Sequence, residues 1–96
     1  MSRIALSRGA IDDLDSLIAS HSLPDDTPAR VARSLRGVSR FPLAGAPLTG
    51  RWRGFRFVLG PWRWMVIVYR YDEAPDTVVV VAVEDGRSSA AVTASR

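Results

Sequence analysis

The chain has 96 residues, and its 47% hydrophobic and 24% charged fractions are typical of one globular domain. It has no cysteine, which excludes a disulfide framework and a thiolate metal site. Its formal net charge is +3, and all 13 basic residues are arginine, either because guanidinium groups bind phosphate well or because the genome has a compositional bias.

The longest apolar runs, residues 64–68 and 78–83, are far shorter than the roughly 20 residues that a membrane span needs. We therefore expect one domain over residues 1–96. We expect it to lie in the cytoplasm, with no membrane contact, no cofactor and no metal.

The first predicted elements are a short strand and a helix. Arg3–Leu6 is an extended segment, and Ser7 is a favourable N-cap for a helix that runs to about His21. We interpret His21 as a surface or C-capping residue of this helix. The acids in its N-terminal half are interpreted as a solvated face: Asp12, Asp13 and Asp15. The apolar residues recur at helical spacing and form one stripe: Ile11, Leu14, Leu17 and Ile18.

A second helix and a loop follow. Thr27 and Pro28 supply an N-cap and a first-turn proline, and Phe41-Pro42 ends the helix after Arg40. The two helices are predicted to form an antiparallel hairpin. The polar faces of the second helix carry four arginines, which are either solvated or a nucleic-acid footprint: Arg30, Arg33, Arg36 and Arg40. Leu43–Gly50 holds prolines and glycines and is predicted to be a loop.

After Gly50 the sequence has the pattern of strands. The predicted strands are Arg51–Leu59, Trp62–Tyr71 and Thr77–Glu84, with turns at Gly60-Pro61 and around Pro75. Their short connections predict a three-stranded antiparallel β-meander. We therefore predict an α+β fold in which the helical hairpin packs on one face of the sheet, while the N-terminal strand can join as a fourth strand. The other face of the sheet is then open.

Arginine and aromatic residues are concentrated in the same part of the sequence. Residues 51–70 hold five arginines and no acid, whereas residues 71–86 hold five acids and no base. Seven of the eight aromatic residues lie between Trp52 and Tyr71. Such rings either pack in the core or stack on the bases of single-stranded RNA, where arginine also contacts phosphate.

The second predicted strand is apolar on both sides in its middle, which indicates a central strand. Alternation divides it into two faces, one with Trp62, Trp64, Val66, Val68 and Arg70 and the other with Arg63, Met65, Ile67, Tyr69 and Tyr71. The residues at its ends are candidates for contact with a target or partner: Trp62, Arg63, Tyr69 and Arg70.

The order of these elements resembles the RelE/ParE family of toxins from type II toxin–antitoxin systems. The segments that carry the resemblance are Ser7–Leu14, Phe41–Gly45, Arg56–Arg63, Tyr69–Asp72 and Val78–Arg87. The resemblance implies a small bacterial toxin that a cognate antitoxin holds inactive by covering its surface. An open sheet face and valine-rich strand edges suit such a partner. Members resembling RelE cut mRNA in the ribosomal A site, whereas members resembling ParE poison DNA gyrase.

The resemblance also implies a set of site residues. The basic residues carried over by motif are Arg56, Arg63 and Arg87, which would stabilise charge on the reacting phosphate. The general base would be Tyr69 or Asp85, a choice made from chemical type alone. Further candidates for binding RNA or another target are Arg51, Arg53, Trp62 and Arg70.

The sequence departs from the family pattern in two places. The strand from Trp62 to Tyr71 is longer than in the family, which changes the register of Arg63. No tyrosine or histidine follows the last strand, where Asp85, Gly86 and Arg87 stand instead. The arginine and aromatic residues favour ribosome-dependent mRNA cleavage, while the missing histidine or tyrosine favours a gyrase inhibitor that is not an enzyme. A third alternative is a degenerate member that retains only antitoxin binding. The small polar tail, residues 88–96, is predicted to be flexible unless it binds a partner.

Overall fold

The computed structural model describes residues 1–87, so the predicted flexible tail lies outside the described residues. The strands are β1 Arg3–Leu6, β2 Ala46–Pro47, β3 Arg56–Leu59, β4 Met65–Asp72 and β5 Thr77–Asp85. The helices are α1 Arg8–Ser20, α2 Thr27–Ser34 and α3 Arg36–Arg40, with a 3₁₀ turn at Gly50–Trp52. Within residues 1–87, no helix is both long enough and apolar enough to cross a membrane.

The sheet has five strands in the order β1-β5-β4-β3-β2. Strands β3, β4 and β5 form the predicted antiparallel meander, and β1 joins as a parallel neighbour of β5. The predicted α+β fold class is therefore confirmed. Valine-rich β5 lies between β1 and β4, so the expectation that it offers a free edge is wrong. The short strand β2, which lies inside the predicted loop, forms the other edge and contains Pro47, as edge strands tolerate.

The first helix begins and ends as predicted. The Ser7 hydroxyl accepts a hydrogen bond from the Ala10 N–H at 3.1 Å, and the His21 N–H donates to the Leu17 carbonyl. Asp13 is not simply solvated, because its carboxylate accepts the Val83 N–H at 3.1 Å. This bond fixes α1 against β5.

The predicted second helix is divided at Leu35 into α2 and α3. The Leu35 N–H is shared between the carbonyls of Val31 and Ala32, each at 3.2 Å, so the chain tightens into a turn there. The buried Leu35 side chain keeps both short helices against the sheet. The helices pack on one face of the sheet, as predicted.

Both faces of the sheet carry an apolar cluster. The cluster under the helices includes Leu14, Val31, Met65, Ile67, Tyr69 and Val80. The cluster on the opposite face includes Leu48, Val66, Val68 and Ala82, with Trp52, Phe55 and Phe57 packed against it. The predicted open face is thus partly covered, because the Leu48 N–H bonds to the Phe55 carbonyl and folds this segment back onto the sheet.

Two strands begin later than predicted. Gly50 and Gly54 have φ values of 67° and 91°, so residues 50–55 form a 3₁₀ turn and a bend before β3. Strand β4 begins at Met65, since the Met65 N–H bonds to the Trp62 carbonyl and closes a turn. Trp62 and Arg63 therefore lie in the β3–β4 turn and not on a strand.

Candidate functional site

Arg56 and Tyr69 are directly opposite each other on β3 and β4. Arg56 Nη1 donates to the carbonyls of Leu43 and Gly45 at 3.1 and 2.8 Å. The Tyr69 hydroxyl donates to the Pro42 carbonyl at 2.8 Å and accepts the Gly45 N–H at 2.9 Å. Both side chains therefore hold the segment that leads into β2.

Tyr69 has no exposed surface, and its hydroxyl has both a donor and an acceptor partner in the backbone. A general base must reach the proton that it removes. A substrate does not reach Tyr69 in this structure, so we do not propose Tyr69 as the general base.

A second group of polar and aromatic side chains meets at the end of the sheet where β4 begins and β5 ends. We call it the His21 cluster, and its members are His21, Trp64, Asp85 and Arg87. His21 Nε2 lies 3.0 Å from Asp85 Oδ2, and Arg87 Nη2 lies 3.0 Å from the same oxygen. Asp85 Oδ1 accepts bonds from the Arg87 backbone N–H and Nε at 2.9 and 3.1 Å. One carboxylate thus fixes an imidazole and a guanidinium group.

Aromatic stacking orders the same cluster. The His21 and Trp64 rings are stacked with centroids 4.6 Å apart, and Trp62 stacks on Trp64 at 6.1 Å. The Arg87 Cζ atom lies 5.1 Å from the Trp64 centroid, and the Arg30 Cζ atom lies 5.9 Å from that of Trp62. Four elements meet at this end of the molecule: the end of α1, helix α2, the β3–β4 turn and the end of β5.

The charges in the cluster are strongly coupled. The hydrogen bonds from Arg87 are the main cause of an Asp85 pKa well below its usual range, and the same ion pair raises the pKa of Arg87. The Asp85 side chain is only 12% exposed, whereas those of His21 and Arg87 are 28% and 64% exposed. An ionised carboxylate with these partners is a poor proton acceptor, so the structure argues against Asp85 as the general base and favours a positioning role.

The ionised Asp85 carboxylate also determines which nitrogen carries the proton in the neutral form of the His21 ring. It can only accept a hydrogen bond, so His21 Nε2 carries the proton. Nδ1 then holds the lone pair, and the Ser20 hydroxyl lies 2.9 Å from it. The neutral imidazole thus donates to Asp85 through Nε2 and accepts from the exposed Ser20 hydroxyl through Nδ1.

The other predicted site residues are divided between different places. Arg63 is exposed in the β3–β4 turn, next to the two tryptophans of the stack. Arg51 and Arg53 are exposed on the segment that covers the opposite face of the sheet, and Arg51 Cζ lies 6.0 Å from the Trp52 ring. Arg70 is near the far end of β4, where its Nε donates to Asp72 at 3.0 Å. Only Trp62, Arg63, Asp85 and Arg87 fall at the end of the sheet that holds the His21 cluster.

Sequence reasoning missed His21, Trp64 and Arg30 as members of this end of the molecule. His21 is a C-cap through its backbone, as predicted, but its side chain contacts Asp85, which is 64 residues away in the sequence. Trp62 and Trp64 pack with the cluster on the helical side and not on the face of Val66, contrary to the predicted alternation. Their position in a turn explains this, because strand periodicity does not extend to them. The only sequence signal was that His21 is the single histidine of the chain.

The fold matches solved structures of toxins. The toxin–antitoxin complex RelBE2 from Mycobacterium tuberculosis matches with a TM-score of 0.65 and 27% identity, over 88% of this chain and 96% of that one. The chain has the RelE/ParE toxin fold. The family resemblance seen in the sequence is thereby confirmed, although no protein-family model and no curated protein sequence matches the chain.

Further RelE/ParE neighbours bear both kinds of name. The YoeB/ParE toxin from Agrobacterium tumefaciens has a TM-score of 0.66 and 17% identity, over 86% of this chain and 96% of that one. The chromosomal ParDE system from P. aeruginosa has a TM-score of 0.67 and 12% identity, over 88% and 96%. The RelE/ParE fold therefore does not decide the target, which must be argued from the site.

Proposed function

We propose that this protein is the toxin of a bacterial type II toxin–antitoxin system, which acts in the cytoplasm by ribosome-dependent cleavage of mRNA. The observation that carries the proposal is the His21 cluster, where cationic, aromatic and acid–base groups meet at one accessible end of the sheet. The toxin fold shared with the RelBE2 complex supports the toxin assignment.

Cleavage of RNA by attack of a 2′-hydroxyl on the adjacent phosphate needs cations for the charge that develops on the phosphate oxygens. Arg87 is the best candidate, because its guanidinium is 64% exposed and is fixed by Asp85 and the Trp64 ring. Arg63 is exposed in the adjoining turn and supplies a second cation. Trp62 offers an aromatic surface on which a base could stack once Arg30 moves aside.

The structure also has a groove that suits the proposed antitoxin. A groove between β1 and the helices is lined by apolar residues, including Ile4, Leu6, Val31 and Leu35. Arg33 of α2, which follows the lining residue Ala32 in the sequence, is exposed. We propose that an acidic segment of the antitoxin with apolar side chains lies in this groove, since both its charge and its apolar groups are then matched.

A second candidate function is inhibition of DNA gyrase without catalysis. It is favoured by the positions of Arg56 and Tyr69, which bond to the backbone, and by the absence of tyrosine and histidine after residue 85 of the sequence. The similarity to the ParDE system is consistent with it. In this alternative the exposed arginines bind protein or DNA and no RNA is cut.

Controlled expression with and without the antitoxin, followed by mapping of mRNA 5′ ends, separates the two functions. We expect growth arrest, new 5′ ends within translated messages, and rescue by the antitoxin. Arg87→Ala should lower the cleavage rate by about 10²–10³-fold, because one charge-stabilising group is lost. Arg8→Ala removes an exposed arginine from the start of α1 and is the matched control. Intact messages together with a DNA-damage response would instead support gyrase inhibition.

A further inference from the structure

His21 Nδ1 is a proton-accepting atom whose one hydrogen-bond partner in the described structure is the hydroxyl of an exposed serine, Ser20. Its ring is fixed from two directions, by the bond from Nε2 to Asp85 and by stacking on Trp64. Its side chain remains 28% exposed. The side chain therefore combines a defined orientation with access to a ligand, which a residue used only for packing does not require.

We propose that His21 transfers the proton in the RNA cleavage, with Asp85 as its positioning residue. The inference rests on the proposed function. It differs from the expectation drawn from the sequence, which placed a base on β4 or at the end of β5. It assigns that role to a residue at the end of α1.

The neighbouring groups supply the other requirements of the step. Asp85 holds the proton on Nε2, which leaves the Nδ1 lone pair to act as the base. The Ser20 hydroxyl contacts Nδ1, and because Ser20 is exposed it can rotate away when RNA binds. Arg87 contacts the same Asp85 oxygen as His21 Nε2, so the guanidinium and the imidazole ring are neighbours.

The proposed chemical step needs no cofactor. Nδ1 takes the proton of the ribose 2′-hydroxyl, and the 2′-oxygen forms a bond to the adjacent phosphorus. The bond from phosphorus to the 5′-oxygen breaks, and the departing oxygen keeps the electron pair and takes a proton from water. The products are a 2′,3′-cyclic phosphate and a 5′-hydroxyl end, while the imidazolium returns its proton to solvent.

Charged side chains from the end of β5, from α2 and from the β3–β4 turn lie at the same end of the molecule as His21. Asp85 and Arg87 come from the end of β5, and Arg30 of α2 lies beyond the Trp62 ring. The β3–β4 turn supplies the two tryptophans that stack here and, between them in the sequence, the exposed Arg63.

The test uses the purified toxin, after release from its antitoxin, on ribosomes programmed with a defined mRNA. His21→Ala should cut about 10²–10⁴-fold more slowly than the wild type and regain part of the rate when free imidazole is added. Asp85→Asn should also be slow, and the control Asp15→Asn, an exposed acid on α1, should not. Thermal unfolding of each variant reports whether the fold is intact.

The outcomes distinguish this inference from the proposed function. If the wild type cuts mRNA and His21→Ala cuts within about tenfold of it, His21 does not transfer the proton, although the toxin remains a nuclease. A folded, slow His21→Ala variant that imidazole does not rescue overturns the inference in favour of a structural role. A wild type that arrests growth without cutting any message overturns both proposals. A product with a 5′-phosphate end contradicts the chemical step.

Discussion

Two parts of the molecule combine arginine with aromatic side chains, and they differ in what satisfies their polar groups. Arg56 and Tyr69 lie in the middle of the sheet and bond to backbone atoms of residues 42–45. Arg87 and Trp64 lie at its end and are joined by His21 and Asp85. Arg56 and Tyr69 are bonded to backbone atoms of the protein. Arg87, in contrast, has a largely exposed guanidinium, and the imidazole of the adjoining His21 is accessible.

The comparison shows that residue type alone does not locate a phosphate-binding surface. A buried hydroxyl with both its bonds made stabilises the fold, since breaking them leaves unpaired polar groups. An exposed arginine that a carboxylate and a ring hold in place is ready to bind an anion. We therefore propose that the Arg56 and Tyr69 pair stabilises the fold and that the His21 cluster carries the function.

The largest expected effect is the loss of Tyr69. Tyr69→Ala removes a fully buried ring and two hydrogen bonds, so we expect a loss of about 3–5 kcal/mol in the free energy of unfolding. The matched control is Tyr71→Ala, two residues along the same face of β4, where the ring is only partly buried. Urea unfolding should show a clearly smaller loss for the control. Equal losses would mean that Tyr69 has no special structural role.

A smaller effect is expected at Gly45, which lies against Tyr69. A Cβ atom there would be 2.5 Å from the Tyr69 hydroxyl oxygen and 2.8 Å from the Phe57 carbonyl oxygen. Gly45→Ala should therefore cost about 1–3 kcal/mol of stability by overpacking.

Gly37→Ala is the matched control for Gly45→Ala. Gly37 lies in α3, and an added Cβ has nothing within 4 Å, so this change should stabilise the protein by about 0.4–1 kcal/mol. Calorimetric unfolding of the two variants should give shifts of opposite sign. Tolerance of alanine at Gly45 would show that the segment from Pro42 to Gly45 is not held tightly by Tyr69.

Much of the fold follows from local sequence, whereas the candidate site does not. The apolar stripe and Ser7 cap of α1 and the valines of β5 act through neighbours in sequence, so their elements were predicted correctly. The late start of β3 depends on positive φ values at Gly50 and Gly54, which the sequence permits without requiring. The His21 cluster depends on contacts between residues far apart in sequence, which no local pattern encodes.

The smallest expected effect is the response of stability to acid at the His21 cluster. The pKa of Asp85 is lower in the folded protein than the ordinary value near 4, so its contribution to stability is complete above about pH 4 and is lost as the pH falls below it. As the pH is lowered below about 4, the free energy of unfolding should therefore fall less for Asp85→Asn than for the wild type. Urea unfolding at each pH measures this difference.

The contribution of Asp76 to stability should respond to acid in the same way in the wild type and in Asp85→Asn. Hydrogen bonds from the Ser2 and Tyr71 hydroxyls lower the pKa of Asp76, and Asp85→Asn leaves them in place. Asp15→Asn is again the control. An identical acid response in the wild type and Asp85→Asn would show that the ion pair of Asp85 with Arg87 does not persist in solution.

The most direct test of the comparison measures mRNA cleavage and thermal unfolding together for Arg87→Ala and Arg56→Ala. We predict that Arg87→Ala stays folded, losing only the stability that its ion pair with Asp85 contributes, but cuts mRNA about 10²–10³-fold more slowly. We predict that Arg56→Ala loses about 1–3 kcal/mol of stability, since two backbone carbonyls lose their donor, while its folded molecules still cut. A stable but inactive Arg56→Ala protein, together with an active Arg87→Ala protein, would contradict the assignment of function to the His21 cluster.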